Sequence, residues 1–155
     1  MPIVIDATPG GAASNSYASL EEADGYLDAF YGEAWTGLAD DAKARLLIVA
    51  TATLDEMPLG VPKANPTQAL NFPAADEPDS VAAARLACFH QAGFLLDHGD
   101  LLKLAEGDAI LGTKQESNGS ASRGGTGHNP LRRWSAKALR LLAPYTDFNM
   151  VIRRG

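Results

Sequence analysis

Cysteine is almost absent from this chain. The single Cys88 excludes an intramolecular disulfide and a zinc site built from cysteines alone. Its apolar surroundings are those expected of a small buried hydrophobe. No apolar run approaches the length of a membrane span. The start, MPIVIDATPGG, lacks a basic segment and has only Ile3 to Ile5 as an apolar run, so it does not read as a signal peptide. A soluble protein, made and kept in a cytoplasm-like compartment with no membrane partner, is the expectation. Aromatics are scarce at 7%, while alanine supplies much of the 46% hydrophobic content, which favours closely packed helices. At 155 residues the chain is long enough for one domain with a real core.

Bases are scarce in the first two thirds. Residues 1–100 hold 15 acids and 4 bases, a net of −11; residues 101–155 hold 4 acids and 9 bases, a net of +5. Such polarity suits head-to-tail association of an acidic face with a basic one. An acidic body argues against nucleic acid as the main partner, because neutralising phosphates supplies most of that affinity.

Helical periodicity dominates what is present. Ile3-Val4-Ile5 reads as a brief strand or extended arm, closed by Pro9-Gly10-Gly11. Ser19 and Glu22 form a capping box whose helix carries Leu20, Ala23, Tyr26-Leu27 and Phe30 on its core face and ends near Gly32. Asp40-Asp41 open a second helix that is apolar nearly all round, stopped by Pro58 and expected to be the most buried. Residues 58–78 are proline-rich, and Thr67 to Pro73 reads as a packed loop anchored by Leu70 and Phe72. A third helix starts at Asp79 or Ser80, with Gly99 as its C-terminal cap. A last one runs from about Ser135 to Leu142 and is closed by Pro144. The predicted fold is mainly α: a small bundle of about four helices, with short strands or extended arms from the termini and from residues 106–130. Gly112 to Pro130 has too little apolar surface to offset its ordering entropy and reads as a mobile arm; residues 146–155 read as a tail.

Several motifs also match a known family. Asn15-Ser16-Tyr17, Ser19 to Tyr26, Trp35, Ala50 to Asp55, Gln68-Ala69-Leu70-Asn71-Phe72-Pro73, Pro78 to Ala84, and Ser135 to Tyr145 together resemble a bacteriophage head–tail connector or adaptor family. Its members are often labelled DnaT-like single-stranded DNA-binding proteins. The resemblance implies a structural virion protein, at the head–tail neck and assembled in the host cytoplasm. It also implies a homo-oligomeric ring of twelve subunits, docked on a portal protein and joined to a downstream stopper or tail-tube protein. Passive contact with packaged DNA is implied as well. The arm at 112–130 is longer than the family linker.

No catalytic constellation accompanies these motifs, so the chain reads as a non-enzyme without metal or cofactor. His90 and Cys88 are two apart on a helix and point in different directions. His98 with Asp97 and Asp100 sits at a helix end, and Asp76-Glu77-Asp79 lacks calcium-loop spacing. Gly124-Gly125-x-Gly127 lacks the Lys-Ser/Thr of a phosphate cradle. The candidate partner interface is basic: Arg132, Arg133, Lys137 and Arg140 beside Trp134, joined by Lys114, Arg123, Arg153 and Arg154. Arg133, Lys137 and Arg140 fall at four- and three-residue steps, predicting one helical stripe. Arginine with tryptophan is the composition of interface anchors. The alternative function is a single-stranded DNA-binding replication accessory protein, with Trp134, Arg132, Arg133 and Arg140 as its groove. An uncharacterised small enzyme ranks last.

Overall fold

A computed structural model describes residues 2–98 and 133–147. Among the described residues five α-helices follow in order: α1 (Leu20–Tyr31), α2 (Glu33–Thr36), α3 (Asp40–Leu54), α4 (Asp79–Asp97) and α5 (Ala136–Leu142), then a 3₁₀ turn at Ala143–Tyr145. Among the described residues there is no strand, only isolated bridges such as Leu59 with Thr146 and Lys63 with Ala74. The mainly α, small-bundle fold is therefore observed, and Ile3 to Ile5 is extended rather than paired. The short strand or extended arm expected from residues 106–130, the Gly99 cap, the arm at 112–130 and the tail beyond Asp147 lie outside the described residues.

Local chemistry sets the helix ends. The Ser19–Glu22 capping box closes reciprocally: the Glu22 amide donates to the Ser19 hydroxyl at 3.2 Å, and the Ser19 amide to the Glu22 carboxylate at 2.9 Å. Gly32 ends α1 at φ 50°, a conformation costly for any residue with a Cβ, and directly opens the one-turn α2. That short helix seats Trp35, 0% exposed, which the sequence marks with no periodic signal. Helix α3 stops at Leu54, short of Pro58; its C-cap Asp55 keeps a helical backbone while its carboxylate serves the loop that follows.

The core forms where α4 meets its neighbours. Helix α4 packs against α1, α3 and α5, so it, and not α3, is the central helix. Ala84, Ala87, Ala92 and Gly93 bring those partners close, while Leu27, Leu47, Leu54 and Leu142 are wholly buried around them. Each such leucine contributes about 1.5–3 kcal/mol relative to exposure. Cys88 is buried among them, as expected, and burial pushes its thiol up to about 11.

Two polar clasps hold the irregular segments. Tyr17 donates its phenol to Asp55 Oδ1, and Asp55 in turn accepts the Asn71 amide at 3.1 Å, joining the N-terminal segment, the end of α3 and the 65–74 loop. Buried Gln68 donates to the carbonyls of Leu70 (2.8 Å) and Pro73 (3.0 Å), so the predicted compact loop is pinned from within as well as by Phe72. The chain after α5 returns to the same region: Gly60 N–H donates to the Tyr145 carbonyl and Asp147 N–H to Pro58, both at 2.9 Å.

Candidate nucleic-acid interface

Helix α5 is too short to hold itself, since helices under about 12–15 residues are marginal in water. Three contacts position it. Gln91 of α4, 0% exposed, donates from Nε2 to the Arg133 carbonyl and accepts from the Ser135 amide, both at 2.8 Å. Trp134, 3% exposed, donates from Nε1 to the Thr53 carbonyl at 2.8 Å. Ser135 caps the helix by accepting from the Ala138 amide at 3.4 Å.

This arrangement divides the predicted basic stripe. Arg133 precedes the N-cap, so a four-residue step from it to Lys137 is not a helical step. Its guanidinium is ion-paired with Glu56 at 2.5 Å and lies over the Trp134 ring at 4.6 Å. Trp134 is an anchor of the core, with no exposed face to offer a base. Lys137 and Arg140 remain exposed on α5. Arg132, Lys114, Arg123, Arg153 and Arg154 lie outside the described residues.

Lys137 reaches instead to an aromatic corner that helical spacing alone assigns to the core. Tyr26 stacks with Phe89 at 4.9 Å between ring centroids (21° interplanar) and with Phe30 at 4.8 Å (26°). The rings pass from buried Phe89, 3% exposed, through half-buried Tyr26 to Phe30, 57% exposed. Phe30 is out, while Tyr31, four residues after buried Leu27, packs against α4: a Cβ built on Gly93 would fall 2.3 Å from the Tyr31 hydroxyl oxygen. Phe30 continues the Tyr26 row along the flank of α1. His90 Nε2 is hydrogen-bonded to the Tyr26 hydroxyl at 2.9 Å and sets its ring edge-on to Tyr26 and Phe30. Lys137 Nζ lies 5.7 Å from the Phe30 centroid, within cation–π range. Burial, and then the Lys137 charge, lower the His90 pKa from 6.5, so the imidazole is neutral at pH 7. The signal for this corner in the sequence is the i, i+4 pair Tyr26 and Phe30.

The other polar clusters serve the fold. Asp24 accepts from Trp35 Nε1 (2.8 Å) and from Lys43 Nζ (2.9 Å). Burial opposes the charge on Asp24, yet the Lys43 and Trp35 hydrogen bonds prevail and hold its carboxyl below the usual range. Cys88 and His90 do not meet: the thiol turns inward to Thr51 Oγ1 at 3.5 Å. Among the described residues no group of three or more His, Cys, Asp or Glu could hold a metal ion.

Comparison with known proteins bears on this corner. No curated protein and no solved structure matches the chain. Residues 1–84 match a family described as "Putative DnaT-like ssDNA binding protein". The match takes in Asn15 to Tyr17, the capping box, Tyr26 and Phe30, and the Gln68 to Pro73 loop; His90 and Lys137 fall beyond it. That description concerns single-stranded DNA and supports no virion, portal or tail role, which corrects the expectation of a head–tail connector subunit. Because the matched segment spans more than half of the 155 residues, the chain belongs to the DnaT-like single-stranded-DNA-binding family.

Proposed function

We propose that this protein binds single-stranded DNA and acts by binding rather than by catalysis. The observation that carries the reading is the family match over residues 1–84, whose description names single-stranded DNA. The physical difficulty is charge, since a chain of net −6 repels phosphates at long range. Binding then has to draw on stacking, which is indifferent to the charge of the body and open to every base. An exposed ring beside a lysine is the equipment such binding needs, and Phe30 with Lys137 supplies it.

The test is a competition. A fluorescent single-stranded oligo-dT is bound to the full chain and displaced by unlabelled single strand or by duplex of equal length. The single strand is expected to compete at least tenfold better, because duplex bases are already stacked on each other. Equal competition, or no binding of the labelled strand at micromolar protein, refutes the proposal.

A further inference from the structure

We infer that Phe30 is the platform on which an unpaired nucleobase stacks, with Lys137 and Arg140 of α5 meeting the adjoining phosphates. This rests on the single-stranded-DNA reading above and goes beyond it by naming the site. Its first support is the order of the rings. Phe89, Tyr26 and Phe30 form a run of stacked contacts that starts in the core and ends at a side chain 57% exposed. A base placed on Phe30 extends that run by one aromatic ring. The ring that supports the platform is held in place, since Tyr26 is fixed by the Phe89 stack and by its 2.9 Å hydrogen bond to His90. Little ordering entropy is therefore lost when a base docks.

The second support is the charge beside it. Lys137 Nζ, over the Phe30 ring at 5.7 Å from its centroid, is an exposed cation on a flexible stem that swings aside when a base stacks. Arg140, one helical turn further along α5, is exposed too. These cations come from a different helix than the platform, so a strand crossing from α1 to α5 meets ring first and charge next. The exposed acids of the same region, Asp28 and Glu33, flank Phe30 in the chain and disfavour any route for the phosphates along α1 itself. Stacking on a ring does not discriminate among bases, so the site takes any unpaired base. Its ligand is a short stretch of single strand of any sequence. A second copy of this chain stacking Phe30 on Phe30 is the competing occupant, and like charges on the two copies oppose it.

Three full-length variants decide the matter against fluorescent oligo-dT. Phe30→Ala is expected to weaken binding roughly 5- to 150-fold, the range for loss of one base–aromatic stack. Phe30→Trp is expected to keep the affinity and to show indole quenching on titration with the oligonucleotide, which a purely structural role would not give. Lys137→Ala is expected to lower the slope of log affinity against log salt by about 0.7, one phosphate contact on a single strand. Far-ultraviolet circular dichroism confirms that each variant is folded. If the wild type binds oligo-dT and Phe30→Ala binds equally well, the platform is refuted while the function stands. If the wild type does not bind, both fail. If Phe30→Ala changes only the mass in light scattering, the surface is a self-association contact and the platform is refuted.

Discussion

Replacing Gln91 with leucine should release α5 from the bundle. The two side chains are similar in size, so Gln91→Leu leaves little cavity and isolates the hydrogen-bond contribution. It removes the acceptor of the Ser135 amide and the donor to the Arg133 carbonyl, both at 2.8 Å. Leaving one buried polar group without a partner costs about 1–3 kcal/mol. The bond to the Ser135 amide is buried and that to the Arg133 carbonyl partly so, which sets the expected loss at about 2–4 kcal/mol. Against a typical domain stability of about 5–15 kcal/mol this is a large share. Urea denaturation of the full chain gives the loss directly. Hydrogen exchange supplies the location, with α5 amides exchanging faster while those of α3 and the first turns of α4 change less. A loss under about 1 kcal/mol, or α5 protection unchanged, would refute the view that Gln91 is the clasp.

Gly93→Ala would ordinarily gain about 1 kcal/mol within a helix. Here the new Cβ meets the Tyr31 ring at 2.3–2.5 Å, so we predict a net loss of about 1–2 kcal/mol in the same urea assay; a gain would contradict the packing. For His90 the folded pKa lies below 6.5, because burial and then Lys137 disfavour the imidazolium. The unfolded chain therefore binds more protons just below 6.5, and stability should fall as pH drops from 6.5 through the folded value. An NMR titration should place the His90 midpoint under 6.5 and shift it upward in Lys137→Ala; a midpoint at or above 6.5 contradicts this geometry.

Elements whose chemistry is local in sequence are legible from it. The capping box, the Gly32 stop, the small-residue helix from Asp79 and the Phe72-anchored loop all depend on residues within a few positions of each other. What escapes depends on which elements meet. Phe30 has the spacing of a core residue, yet it is Tyr31 that packs over Gly93 while Phe30 stays exposed. Arg133, Lys137 and Arg140 have helical spacing, but Ser135 begins the helix after the first of them, and Glu56 claims its guanidinium from 77 residues away. Trp134 has the composition of an interface anchor and is spent inside, on Thr53. Helix α3 is apolar nearly all round, yet α4 takes the centre because α5 returns to its far side. The residues that carry the family likeness are mostly caps and packing positions, so they mark the scaffold without placing the binding surface on it.

The most direct measurement is photocrosslinking of the full chain to a single-stranded oligo-dT carrying one 5-iodouracil, followed by mass spectrometry of the crosslinked peptides. The iodouracil ring joins to an aromatic side chain stacked against it. A crosslink is expected in the α1 peptide at Phe30 or Tyr26, competed by unlabelled single strand and absent from a duplex probe. No crosslink above the duplex control would contradict an aromatic platform for single-stranded DNA.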